Sequence, residues 1–144
     1  MIAGIFDSGA LPALQRLVQF TSQRHAVLTH NIANLSTPYF QPRDLDPKTF
    51  QATLRNAIDQ RRASRTPTSG PLTLTDTEQL RFRAGGIEVT PTPTHQNILF
   101  HDQNNRDLER TMQHLAENTL AFNAAVELLR NEFNMIEIAI RERV

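Results

Sequence analysis

Residues 108–140, LERTMQHLAENTLAFNAAVELLRNEFNMIEIAI, decide the fold class. Apolar side chains recur at Leu108, Met112, Leu115, Phe122, Val126, Leu129, Phe133, Ile136 and Ile140, with Thr119 in the one polar gap. The steps alternate four and three, the 3.5-residue period of a helix that lies along another helix. No glycine or proline interrupts the run. Asp107 and Glu109 stand where a helix dipole favours acid, Arg141 and Arg143 where it favours base, and Asn104 or Asn105 is expected to cap. A helix over 105–143 would be roughly 58 Å long.

A second run, nearer the start, has the same period. Leu11, Leu14, Val18, Thr21, His25, Leu28, Ile32 and Leu35 step by three and four, and a flanking row of Leu17, Phe20 and Val27 lies beside them. Ser8 is expected as N-cap, which leaves Pro12 in the first turn where its missing N–H costs least. Pro38 turns Thr37 away from the helical region and stops the helix near Asn34 to Ser36. Every proline except Pro12 falls between positions 38 and 93, so two flanks, free of proline beyond the first turn of the first helix, enclose a broken middle.

In that middle, Asp46-Pro47 reads as an N-cap followed by proline at the first helical position, with Phe50, Leu54, Ala57 and Ile58 on one face of a short helix. Residues 60–71, with Arg61, Arg62 and Arg65 among Ser, Thr, Gly and Pro, read as a loop outside the helical pair. Leu80 and Phe82, then Ile87 and Val89, alternate on either side of Gly85-Gly86 as in a β-hairpin. Thr90 to Thr94 reads as an extended linker. The fold class expected is mainly α: long N- and C-terminal helices paired as an antiparallel coiled coil, with an irregular middle holding a short helix and a hairpin. The segments are 1–38, 39–104 and 105–144.

The chain is 144 residues long, one domain's worth, with 39% hydrophobic and only 6% aromatic residues. Fifteen basic groups balance fifteen acidic ones, so no net field draws it to nucleic acid. It has no cysteine, hence no disulfide, thiolate metal site or thiol nucleophile. Met1 to Asp7 lacks the basic start and long apolar run of a cleavable leader, and no stretch reaches the roughly 18 apolar residues of a membrane span.

The sequence offers little for catalysis. His25 and His30 are about 140° apart on a helix; His95 and His101 fall in a loop; His114 and Glu117 form a pair, which is not a site. Metal-protease, nucleophile-elbow, P-loop and dinucleotide patterns do not occur. Asp44 and Asp46 lack an apolar pocket to raise either pKa, and Asp46 is already a cap. The arginines at 55, 61, 62 and 65 read as a solvated loop. No enzyme activity, cofactor, nucleic acid or small-molecule substrate is expected. Two long helices fill one face of each other, and Leu17, Phe20, Val27, Leu120, Leu128, Met135 and Ile138 fall beside the seams, which points to other subunits.

The stretch Asn31-Ile32-Ala33-Asn34-Leu-Ser-Thr37-Pro38-Tyr-Phe40 resembles the Asn-Ile-Ala-Asn-x-x-Thr-Pro-Gly-Tyr signature of bacterial flagellar rod and hook proteins. The following Arg43-Asp44-Leu45-Asp46 is similar to the sequence after that motif in rod proteins. Asp102 to Glu109 and Leu115 to Phe122 resemble the C-terminal helix of the short proximal rod proteins. The likeness covers about residues 8–46 and 97–144. It implies a structural part of the flagellar basal body, exported through the flagellar type III apparatus without a cleavable signal and stacked into the periplasmic rod.

Further implied are packing of the terminal helices into a coiled-coil layer, torque transmission, and partners among other rod proteins, copies of itself, the basal-body base and the export apparatus. Leu11, Leu14, Val18, Leu28 and Ile32 on the first helix would carry subunit packing, as would the nine apolar positions of the last. Asn31 and Asn34 would adopt the left-handed conformation or bond loose backbone groups at the helix end. One position departs from the signature: Tyr39 stands where the family has glycine, and a turn needing positive φ there would be strained by it. The alternatives are a soluble coiled-coil adaptor or export chaperone, expected as a stable dimer at low concentration, and the other short proximal rod protein.

Overall fold

The computed structural model describes residues 7–83, 85–94 and 107–141. Three helices and four short strands run in the order α1 (Leu11–Ala33), β1 (Arg43–Asp44), α2 (Pro47–Arg62), β2 (Leu80–Arg83), β3 (Gly86–Val89), β4 (Thr92–Pro93) and α3 (Leu108–Arg141). At 1.5 Å per residue α1 is roughly 34 Å long and α3 roughly 51 Å. The mainly helical architecture matches the expectation from the two periodic flanks.

α1 and α3 lie side by side. The Asn118 amide donates to the Thr21 carbonyl at 2.8 Å. One turn on in α1, Arg24 pairs with Asp44, which in turn faces His114, four residues back in α3. As α1 advances α3 recedes, so the pair is antiparallel. Extended at this register, α3 continues past the first turn of α1 by roughly 20 Å.

α2 and the hairpin form as read from the sequence. Asp46 caps α2, its carboxylate accepting from the Lys48 and Thr49 N–H groups at 3.0 and 3.2 Å and from the Thr49 hydroxyl at 2.6 Å. Leu80 pairs with Val89 and Phe82 with Ile87 across β2 and β3. Gly86 already belongs to β3, opposite Arg83. The expected linker over 90–94 is instead a pairing segment: β4 lies antiparallel to β1, and the Thr94 N–H donates to the Pro42 carbonyl.

The core lies on the flank of α1 rather than between the two long helices. Phe20, Leu45, Phe50, Leu80 and Ile87 are buried together, with Leu17, Leu54, Phe82 and Val89 packed around them. The rings of Phe20 and Phe50 stack in parallel at 4.1 Å. Leu17 and Phe20 therefore correct the sequence reading: they are covered by the chain's own middle segment, which folds over the edge expected to await another subunit. Arg16 secures that packing by donating to the Gly86 and Arg83 carbonyls at 3.1 Å each.

Two caps differ from expectation. Ser8 does not cap α1: the N-cap is Ala10, with no side-chain bond, while Ser8 pairs with Ser69 in an antiparallel bridge. Gly9 donates to the Thr68 carbonyl and Gly70 to that of Asp7, at φ of +62° and +110°, values that favour glycine. Arg61 reaches the Gly9 carbonyl at 2.6 Å. The loop after α2 is thereby tied to the chain before α1. At α3, Asp107 supplies the cap by accepting from the Arg110 N–H at 3.0 Å. Asn104, Asn105, Arg143, His95 and His101 lie outside the described residues.

Candidate assembly surface

The signature residues sit where α1 ends and the chain doubles back. Asn31 is buried in the last turn, and its amide brackets the Arg43 backbone, donating to the carbonyl at 2.5 Å and accepting from the N–H at 3.1 Å. That pair pins β1 to the helix. Asn34 follows as C-cap with φ −103°, so neither it nor Asn31, within α1, uses the left-handed conformation expected of them; Asn34 donates from both backbone and side chain to the His30 carbonyl. The reason is that an ordinary helix end leaves carbonyls open, and an asparagine amide can meet them without a change of handedness.

Thr37 donates its N–H to the Asn34 carbonyl, and Phe40 donates to that of Thr37, closing the turn around Pro38. The left-handed residue is Tyr39, at φ 60°. This is the position where the family signature has glycine, and here the positive φ falls on a residue that carries the steric cost of a side chain. Tyr39 is 80% exposed, and the Phe40 ring meets His30 edge-on at 5.7 Å. Ile32 is half-buried and Ala33 exposed.

Three further polar residues organise the same end of the molecule: Arg24, which the sequence reading passed over, and Asp44 and His114, which it named without joining them. Arg24 makes a bidentate bond to Asp44, 2.9 and 2.6 Å, and both are largely buried. Asp44 also accepts from the Leu45 N–H, and His114 Nδ1 lies 3.6 Å from its other oxygen. Arg24 thus takes the contact position that the heptad reading gave to His25, which is exposed. One helical turn of about 3.6 residues back from buried Leu28 falls nearer position 24 than 25, so the side chain turned to the contact is that of Arg24.

On α3 the observed contact line is offset by one residue from the heptad reading, with Asn118 and Ala125 in place of Thr119 and Val126. Its buried positions are Asn118 and Ala125, both small, which lets the helices approach closely. Leu115, Phe122, Val126, Leu129 and Ile136 flank that line half-buried, whereas Leu108, Met112, Phe133 and Ile140 are exposed rather than sealed in a seam. On α1, Leu11 and Leu28 are buried, with Leu14 and Val18 half-buried.

Beyond the flanking residues, Leu120, Ala124, Leu128, Met135 and Ile138 form a second apolar row on the far side of α3, with Leu120 71% and Met135 57% exposed. An apolar surface of this length on a small chain marks a place where another surface is covered. Among the described residues no helix is long and apolar enough to cross a membrane, and no group of three His, Cys, Asp or Glu residues could hold a metal ion.

No protein-family profile matches the chain. Individual proteins do. The flagellar basal body rod protein FlgB of Yersinia enterocolitica is 32% identical over 128 residues, 84% of this chain and 85% of that protein. FlgB of Borrelia hermsii is 28% identical over 130 residues, covering 88% and 91%. FlgB of Escherichia coli strain K12 is 28% identical over 128 residues, covering 85% and 86%. The first of these is more than 30% identical over more than two thirds of each chain, and the chain belongs to the FlgB family of flagellar basal body rod proteins.

Proposed function

We propose that the chain is a structural subunit of the flagellar basal body rod, that it assembles with other rod proteins and copies of itself through its terminal helices, and that it transmits torque through them. The observation that carries this reading is α3: a 34-residue helix whose only fully buried residues among those described are the small Asn118 and Ala125, with apolar rows beside and beyond them left half-buried or exposed for neighbours to cover. The segments divide the work. Residues 1–38 and 105–144 supply the packing helices, and 39–104 braces α1 from its other side.

Packing of this kind suits a shaft. Interdigitated side chains resist sliding because each must leave the hole it occupies on the neighbouring helix before the surfaces can move. The sites proposed for subunit packing are the apolar positions of both helices, and the signature turn from Asn31 to Phe40 fixes how the chain leaves the packed layer. Passage through the flagellar export apparatus, residence in the periplasmic part of the rod, and contact with the basal-body base complete the proposal.

The test is Phe122→Asp in a bacterium whose own FlgB-family subunit has been deleted. Half-buried Phe122 is replaced by a charge that an apolar contact cannot solvate. The expected result is a normally expressed chain, no completed rods and no swimming. Normal rods and swimming with Phe122→Asp contradict the packing assignment. A purified chain that is a stable folded dimer at low concentration and leaves rods unaffected when deleted points to an adaptor instead.

A further inference from the structure

The buried polar side chains of the described residues are Thr21, Arg24, Asn31 and Asn118. Asn31 serves the turn. The other three, with Asp44 and His114, sit together where α1 crosses α3. We propose that these residues are a register lock: they select one antiparallel alignment of α3 on α1 from the heptad-shifted alignments that the apolar pattern permits.

The apolar pattern alone does not choose. Leu115, Phe122, Leu129 and Ile136, and Met112, Val126, Phe133 and Ile140, repeat at heptad spacing in the rows beside the contact line, so sliding α3 by a heptad leaves those rows apolar except at Thr119. Twelve residues separate Thr94 from Asp107, a contour of up to about 40 Å, against the roughly 10 Å of a one-heptad slide.

The polar residues do choose. In the observed register Asn118 meets the Thr21 carbonyl, and the Thr21 hydroxyl is turned back to the Leu17 and Val18 carbonyls, so the crossing is satisfied. Slide α3 one heptad so that Ala125 faces Thr21, and Asn118 lies against buried Leu28 while Ala121 replaces His114 beside Asp44. Slide it the other way so that residue 111 faces Thr21. Asn118 then meets Leu14 and Asp107 comes to Asp44, carboxylate against carboxylate. Each slip strands an amide on a leucine, and one also opposes like charges.

The consequence concerns what α3 presents. The register sets how far α3 projects beyond α1, and hence where Met135, Ile138 and Ile140 stand. That consequence rests on the rod-subunit reading; the lock itself does not, and its test involves no assembly.

The chain has no cysteine, so a pair of introduced ones can be spin-labelled cleanly. Ser22 on α1 and Asn134 on α3 are exposed and outside the lock. In the full-length Ser22→Cys/Asn134→Cys chain, pulsed electron paramagnetic resonance is expected to give one distance. Adding Asn118→Ala and His114→Ala is expected to split it into populations about 10 Å apart, with the helical circular dichroism retained. A second variant, Asn118→Ala with Ala125→Asn, moves the amide one heptad and is expected to shift the dominant distance by the same amount. A single unshifted distance in both variants overturns the lock. So does loss of the helical signal in the first, which assigns these side chains to stability rather than to register.

Discussion

Asn31 and Asn34 are three residues apart and chemically identical, yet they do different work. Asn34 satisfies the end of its own helix, whereas Asn31 reaches across to a strand twelve residues later. Asn31→Ala leaves the Arg43 N–H and carbonyl without their partner, and we expect a loss of about 2 kcal/mol in chemical denaturation. Asp46 is a simpler device. The Thr49 hydroxyl is the largest influence on its carboxyl, with the Lys48 and Thr49 N–H groups and the Lys48 charge adding to it; together they outweigh burial and hold its pKa below 3.8. A depressed pKa contributes stability that is present above the unfolded value and is lost as pH falls through the folded one. Asp46→Ala is therefore expected to cost about 1 kcal/mol near neutrality. The gap in melting temperature from the unaltered chain should narrow as the pH drops below about 4. These two residues also show what a sequence exposes. The bonds of Asp46 reach two and three positions ahead, within the span of a capping pattern, and it was legible. The partners of Asn31, and the joining of Arg24, Asp44 and His114, depend on where distant segments meet, which no local spacing encodes.

The elements themselves were legible for local reasons: apolar period marked α1 and α3, the Asp46-Pro47 cap and apolar face marked α2, and alternation about Gly85-Gly86 marked the β2–β3 hairpin. Which face each helix covers was not. A period reports that a stripe exists, and the identity of its cover depends on the rest of the chain. Phe20 and Leu128 illustrate this, since both lie beside the heptad positions. Phe20 stacks on Phe50 in the core, while Leu128 is 53% exposed. Phe20→Ala is expected to destabilise the isolated chain by about 3–5 kcal/mol, and Leu128→Ala by no more than about 0.5 kcal/mol. Thermal or urea unfolding of the two variants checks the contrast. Equal losses would mean that Leu128 has an internal partner and that the far row of α3 is part of the fold rather than a contact surface.

At the scale of the whole molecule, two long helices are held by unequal means. α1 is gripped on one side by the middle segment, through Phe20, Leu17 and the Arg16 bonds to the hairpin, and on the other by α3. α3 has α1 along one narrow face, and apolar side chains stand on much of the remainder. On the proposed reading such a chain is incomplete as a monomer, and its longest described element is finished by its neighbours. The most direct measurement is a cryo-electron microscopy map of an isolated basal body in which this chain is traced within the rod. The account predicts that Leu120, Leu128, Met135 and Ile138 of α3 pack against helices of adjacent subunits. A traced subunit in which those four side chains face solvent, or a complete rod in which the chain has no place, would contradict it.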